Sequence, residues 1–283
     1  MKTFLMQHLP SGFCWLFGKN TTEADGLTEG IEAFEQQDYA TALKIWNRLA
    51  KKGSASAQFN IGMMCLKGKG VPQHYKTAFS WFRLASEQGD LDARLWLGLM
   101  HLKGLGVPQS GKTGLKLIWQ SAEKGNAFAQ SLLGCMYFEG KGVPKNRKAA
   151  VKWYSRSAEQ GCILARFNLG VIYEDGLGVA QSFQKAFKWY TLAAEQGDTD
   201  AQFNLGCMYA SGQGPRRDPA LDCLELPFFP SAHMWWNVAA AQGSRAAKVN
   251  KELIEKDMSP SQIERAQDLA RDWVDERHER AEL

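Results

Sequence analysis

Residues 165–198 read ARFNLGVIYEDGLGVAQSFQKAFKWYTLAAEQGD and are one copy of a segment that recurs along the chain. The preceding copy, AQSLLGCMYFEGKGVPKNRKAAVKWYSRSAEQGC, occupies residues 129–162. Alanine opens each copy at a spacing of 36 residues, at Ala57, Ala93, Ala129, Ala165 and Ala201. A fixed period of this size predicts a stacked array of similar units. Since a single unit cannot bury its own apolar face, the core is expected between neighbouring helices and repeats.

The first half of each copy has the pattern of an α-helix. Apolar or aromatic residues follow the alanine at four and eight positions, which places them on one helix face. Glycine stands five positions after each alanine, at Gly62, Gly98, Gly134, Gly170 and Gly206. A glycine inside a helix costs about 1 kcal/mol relative to alanine. Its recurrence therefore predicts a close approach by another helix.

A Gly-x-Gly-Val-Pro turn ends this first helix at residues 68–72, 104–108 and 140–144, and residues 176–180 keep the pattern except for Ala180. Glycine suits the left-handed end of a helix, and proline prevents its continuation. A second helix follows, with small residues beside a column formed by Trp81, Leu117, Trp153 and Trp189. A further glycine closes the unit before the next alanine. Each copy is thus predicted to be a helix pair.

The combined pattern, A-x3-[LI]-G-x2-Y-x2-G-x-G-V-P followed by A-x2-W-[YF] and AEQG, resembles the Sel1-like repeat, a relative of the tetratricopeptide repeat. The resemblance covers about residues 57–243. It implies an all-α fold, a right-handed superhelical solenoid of antiparallel helix pairs. It also implies use as an adaptor or protein-binding platform.

The chain outside the regular copies divides into further segments. Residues 1–25 are interpreted as a degraded signal or a disordered segment, and residues 26–56 as a tetratricopeptide-like capping repeat. Residues 57–243 contain five repeats, and residues 244–283 are predicted to form C-terminal capping helices, one of which starts at Ser259. The fifth repeat carries a proline-rich insertion near residues 215–231 with Phe228 and Phe229 side by side. This insertion is expected to be a loop, either tolerated or in contact with a ligand.

Composition narrows the class of protein. The net charge of +4 is a mild excess of base, and nucleic-acid binders normally carry more clustered lysine and arginine. None of the six cysteines forms a CxxC pair, so free thiols are expected rather than a disulfide framework. No apolar run is long enough to predict a membrane span. The compartment stays open, with the cytoplasm favoured over the periplasm or secretion.

No catalytic or metal-binding motif appears in the sequence. The five histidines show no metal-ligand spacing, and HExxH, GxSxG, Walker and Rossmann patterns are absent. The recurring GxG neither follows a predicted strand nor precedes GKS or GKT. His101 stands in a tyrosine column and is interpreted as an interior substitution. The sequence therefore predicts no catalytic residue, no cofactor and no metal.

By resemblance to tetratricopeptide arrays, the first helix of each pair should line a concave surface that binds a partner. An apolar column with adjacent amide and charged side chains is expected there, together with the paired phenylalanines of the insertion. The predicted partner-binding residues are Phe59, Asn60, Met63, Lys67, Leu95, Leu99, Lys103, Phe138, Phe167, Asn168, Phe203, Asn204, Phe228 and Phe229. Along the chain, the charged position of this column changes from Lys67 and Lys103 to Glu139 and Asp175.

These observations predict a non-catalytic scaffold or adaptor that binds another protein or peptide. Two alternatives stay open. By resemblance, bacterial Sel1-like arrays include immunity proteins that neutralise a toxic enzyme. Some relatives are associated with β-lactam binding, which implies a hydrolase, but their paired-cysteine pattern and a plausible SxxK are missing here.

Overall fold

The structure is a computed structural model that describes residues 24–213 and 229–282. These residues are almost entirely α-helical, which confirms the predicted all-α fold of paired helices. The helices are α1 (Ala24–Glu35), α2 (Tyr39–Lys51), α3 (Ala55–Lys67), α4 (Tyr75–Glu87), α5 (Leu91–Lys103), α6 (Gly111–Glu123), α7 (Ala127–Glu139), α8 (Arg147–Glu159), α9 (Ile163–Asp175), α10 (Phe183–Ala194), α11 (Thr199–Ala210), α12 (Phe229–Ala241), α13 (Arg245–Ile254) and α14 (Pro260–Glu282). A short 3-10 helix, Glu255–Asp257, follows α13.

The chain forms two compact units that divide between Ala129 and Gln130. The first unit contains α1 to α6 and the start of α7, and the second contains the remainder. The interpretation of residues 1–25 as a degraded signal or disordered segment falls largely outside the described residues.

Local backbone chemistry explains where the first helices end. Gly68, Gly104 and Gly176 take left-handed conformations with φ of 69°, 70° and 68°, and each donates its N–H back to the helix end. The second glycine of the turn packs on the preceding repeat at Gly70, Gly106 and Gly178, and Gly178 does so against the start of α8 at Arg147. The turn therefore ends a helix, as the glycine pattern predicted, and it also joins adjacent repeats.

The glycine inside each first helix meets a large side chain of its own repeat. A Cβ atom placed on Gly134 would lie 2.7 Å from Cδ1 of Tyr154, and one on Gly62 would lie 2.7 Å from Cε1 of Phe82. The full set of pairs is Gly62 with Phe82, Gly98 with Ile118, Gly134 with Tyr154, Gly170 with Tyr190, and Gly206 with Trp236. The predicted close approach is present. The side chain that approaches the glycine lies one position after the column of Trp81, which the sequence pattern places beside the small residues.

Neighbouring repeats are joined by a recurring hydrogen bond. At four repeats, the side chain of the residue after the repeat alanine donates to the carbonyl eight residues earlier, at the end of the preceding helix. The donor–acceptor pairs are Gln58 with Ala50, Arg94 with Ser86, Arg166 with Ala158, and Gln202 with Ala194. Each of these carbonyls also accepts the N–H of the glycine three residues later, so the side chain adds a second hydrogen bond at the helix end.

Aromatic contacts join the repeats as well. His101 meets the ring of Phe79 edge-on with centroids 5.6 Å apart, and Tyr209 meets Phe187 at 5.3 Å. In both pairs the second residue belongs to the preceding repeat. The placement of His101 agrees with its interpretation as an interior substitution, because a ring–ring contact replaces the tyrosine contact of its column.

The C-terminal helix α14 begins at Pro260, as predicted. The Ser259 N–H donates to Oε1 of Gln262, and the Gln262 N–H donates to Ser259 Oγ, which forms a capping box. Trp273 of α14 lies edge-on to Trp235 of α12, with centroids 5.5 Å apart. Helix α14 therefore covers the last repeat of the second unit. No helix of the described residues is both long and apolar enough to cross a membrane.

The last residues of the insertion predicted in the fifth repeat belong to a helix. Helix α12 already begins at Phe229, with Pro230 in its first turn, where a missing N–H is tolerated. The expectation of a loop is therefore wrong for residues 229–231. Residues 214–228, including Phe228, lie outside the described residues.

Candidate functional site

In the first unit, several of the predicted partner-binding residues are part of the core. The exposed fractions of Phe59, Met63 and Leu95 are 6%, 1% and 5%. Phe59 packs on Phe82 with ring centroids 5.6 Å apart. The expectation that these side chains face a partner is therefore wrong, because Phe82 of the second helix α4 and the adjacent helices already cover them.

Asn60 is also buried, and its side-chain amide has no hydrogen-bond partner among the described residues. Leu99 is half-buried, Lys67 is exposed and Lys103 is half-buried. Loss of solvation lowers the pKa of both lysines from its usual value. Accessible surface in the predicted column of this unit is thus contributed mainly by the ends of α3 and α5.

In the second unit the same column is partly accessible. Phe167 and Val171 of α9 and Phe203 and Cys207 of α11 are each half-buried, and we call these four residues the α9–α11 row. Asn168 and Asn204 adjoin the row and are half-buried as well, as is Phe138 at the end of α7. The row packs against the hydrophobic core beneath it while part of each side chain reaches solvent.

A hydrogen-bonded tyrosine supports the row from below. Tyr190 is fully buried, its ring lies 5.9 Å from that of Phe167, and its hydroxyl donates to Oε2 of Glu174 at 2.6 Å. Burial, followed by the bond to Glu174, raises the pKa of Tyr190, while a bond from Asn204 lowers it. Glu174 adjoins Asp175, which the sequence placed at the charged position of the column, but the role of Tyr190 was missed because sequence spacing alone did not identify its partner.

Cys135 of α7 and Cys207 of the α9–α11 row are poor nucleophiles. Burial raises the pKa of Cys135 to about 11 and also raises that of Cys207. The thiolate is the reactive form of cysteine, so both thiols are protonated near neutral pH. Within the described residues, His, Cys, Asp and Glu form no group of three or more that could hold a metal ion.

Phe229 is the first residue of α12, and His233 lies one turn further along this helix. Phe229 is half-buried and packs on the cluster formed by α12, α13 and α14. His233 is completely buried, and its Nε2 lies 2.7 Å from Oε1 of Glu255. This contact connects α12 to the 3-10 helix, and its sequence separation of 22 residues left no local signal.

The arrangement is that of helix pairs with an accessible apolar and amide-bearing row. Comparison with known proteins agrees with the paired-helix fold. No curated protein matches the chain in sequence. A Sel1 repeat protein from Oxalobacter formigenes is 28% identical, covers 89% of this chain and 98% of its own, and superposes with a TM-score of 0.69. An immunity protein from Pseudomonas aeruginosa is 20% identical, covers 73% of this chain and 75% of its own, and has a TM-score of 0.50, so it shares the fold.

A model of the Sel1 repeat matches five consecutive segments, residues 55–90, 91–126, 127–162, 163–198 and 199–244. Each matched segment begins at a first helix and extends to the turn that follows the second. Sel1 repeats are typical of non-catalytic scaffolds that mediate protein–protein binding. The chain belongs to the Sel1 repeat family.

Proposed function

We propose that this protein is a non-catalytic scaffold that binds another protein or peptide on the accessible face of its first helices. The α9–α11 row is the observation that carries the proposal. Phe167 and Phe203 offer apolar area to a partner, and buried aromatic anchors usually dominate the energy of an interface.

The polar side chains beside the row favour a peptide-like partner. Asn168 and Asn204 recur at the same position of α9 and α11, and an amide can both donate to and accept from a peptide backbone. Glu174 and the exposed Asp175 lie at the end of α9. A segment with apolar side chains and a nearby cation complements this combination.

The proposal is tested by capturing partners with the wild-type protein, with Asn168→Arg and with Gln267→Arg. Asn168 adjoins the row, whereas Gln267 is exposed on α14 and receives the same charge in the control variant. Mass spectrometry identifies the captured proteins, and circular dichroism verifies the fold of each variant. A partner lost with Asn168→Arg and kept with Gln267→Arg supports the proposal. A partner retained by both variants would assign binding to another surface.

The immunity alternative rests on likeness of fold to the Pseudomonas aeruginosa protein and makes a separate prediction. A captured partner would then be an enzyme, and its activity would fall to zero as one equivalent of this protein is added. An adaptor would leave the activity of its partner in place. Turnover of a β-lactam by the purified protein would instead support the hydrolase alternative.

A further inference from the structure

The second helices of the second unit carry a concentration of positive charge on their exposed side. Lys148, Lys152 and Arg156 of α8 are exposed and spaced by four residues, so they form one stripe along the helix. Lys188 of α10 is exposed and occupies the position of Lys152 in the next repeat. We call these four residues the basic face.

The two helices of the basic face are held side by side. Nε of Arg166 donates to the Ala158 carbonyl at 3.1 Å, and its Nη1 donates to the Leu192 carbonyl at 3.2 Å. One guanidinium thus joins the C-terminal ends of α8 and α10. At the other end, Gly178 of the turn before α10 packs on Arg147 at the start of α8. The basic face is therefore a preformed surface of the second unit.

The four side chains of the basic face have no carboxylate partner in the part of the chain that the structure describes. Among the described residues, none of the four lies within 4.0 Å of an aspartate or glutamate oxygen. Arg156 instead lies over the ring of Trp153, 5.0 Å from its centroid. In the first unit, the exposed Lys112 and Lys116 of α6 occupy the same repeat positions as Lys148 and Lys152.

The arrangement is electrostatically unfavourable for the free helix. Lys148 with Lys152, and Lys152 with Arg156, are like-charged i, i+4 pairs, which destabilise a helix. Lys148 also lies in the first turn of α8, which has no acidic residue, where the helix dipole disfavours a cation. A bound anion would relieve both effects.

We propose that the basic face is a second interaction surface, distinct from the α9–α11 row, and that it binds an acidic helical segment of a partner protein. The stripe from Lys148 to Arg156 spans about 12 Å at the helical rise of 1.5 Å per residue, which matches carboxylates at i, i+4 and i+8 of a partner helix. Exposed Glu159 and Glu195 bound the stripe at the helix ends. These carboxylates repel a long polyanion, so a short acidic segment fits better than a nucleic-acid duplex.

The test uses a fluorescein-labelled alanine-rich peptide with glutamates at i, i+4 and i+8, and the same peptide with glutamines as the uncharged probe. Fluorescence anisotropy is measured with the wild-type protein, with Lys148→Glu/Lys152→Glu/Lys188→Glu, and with a control variant. The control, Lys248→Glu/Lys256→Glu/Arg265→Glu, makes the same charge change at exposed residues of the C-terminal helices.

We expect the triple variant of the basic face to weaken glutamate-peptide binding by at least about tenfold and the control by less than about twofold. Binding should weaken with added salt, and carbodiimide should cross-link the peptide to Lys148, Lys152 or Lys188. Equal losses in both variants, equal binding of the glutamine peptide, or cross-links confined to other lysines would overturn the proposal. It would also be overturned by tighter binding of a short DNA duplex or of phosphatidylserine vesicles, or by self-association at low salt in sedimentation equilibrium.

Discussion

The ring of Tyr154 lies directly against the backbone of Gly134, where a Cβ atom would come within 2.7 Å of Cδ1 and 2.8 Å of Cε1. Such distances are too short for a real side chain without movement of the ring. Tyr154 is itself 3% exposed, so it has little room to move. The pair explains why a residue that weakens helices recurs in the middle of every first helix.

Gly134→Leu is expected to destabilise the protein by about 1–3 kcal/mol, because extra atoms in a packed core force side chains and backbone apart. Urea unfolding followed by circular dichroism measures the effect. Gly111→Ala is the control, since nothing lies within 4 Å of a Cβ at that helical position and alanine favours a helix. An unchanged midpoint for Gly134→Leu would show that the glycine column is not a tight contact.

Asp90 is expected to make stability depend on pH. The pKa of this N-cap carboxyl is raised from 3.8 to about 6, chiefly because burial disfavours the charged form; the hydrogen bond from the Ala93 N–H opposes this shift, and the nearby Asp92 charge adds to it. Because the folded-state pKa lies above the unfolded one, the folded protein binds more protons between about pH 4 and 6. The contribution of Asp90 to stability is therefore present at acid pH and is lost as the pH rises through that window.

Asp90→Asn keeps a good N-cap and removes the titration. Between pH 4 and pH 8, the free energy of unfolding of this variant should rise relative to that of the wild type by up to about 3 kcal/mol, because one pKa unit corresponds to 1.36 kcal/mol. Unfolding free energies at the two pH values measure this difference. Asp257→Asn, at an exposed aspartate, should show no such gain. The same gain in both variants would assign the effect to net charge instead.

The cysteines are expected to be free and slow to react. Cys65, Cys135, Cys162 and Cys207 form no disulfide in the structure, while Cys14 and Cys223 lie outside the described residues. With a pKa of about 11 in place of 9.0, Cys135 has about 100-fold less thiolate at pH 8. Alkylation followed by peptide mass spectrometry should show at least that ratio between denatured and native protein. A homogeneous disulfide in non-reduced protein would contradict the prediction.

Phe167→Ala with Phe203→Ala should weaken partner binding by about 2 kcal/mol or more, as measured by calorimetry. Stability should fall too, since the ring of Phe167 packs on Tyr190 and the side chain of Phe203 packs on the hydrophobic cluster that contains Trp236. Phe187→Ala is the matched control, because this phenylalanine packs on Tyr209 outside the α9–α11 row. Equal losses of affinity in the two variants would attribute the effect to stability and not to the row.

Local rules accounted for most of the fold. The end of α3 at Gly68 and the start of α14 at Pro260 were both predictable, because left-handed glycine and N-terminal proline act through the backbone of adjacent residues. The start of α12 at Phe229 was not predictable in the same way. Proline usually breaks a helix, yet Pro230 occupies the one turn in which it is tolerated.

The period, the helix pairs and the close approach at Gly134 could be predicted from the amino-acid sequence, since each follows from spacing along one chain. The packing of the helices was needed to show that Tyr154 makes that approach, and that Phe59 is buried while Phe167 is partly accessible. Phe59 and Phe167 occupy the same position of the repeat, so periodicity cannot distinguish them. Burial depends on which side chains of neighbouring helices cover a position, and those neighbours are supplied by residues distant in sequence.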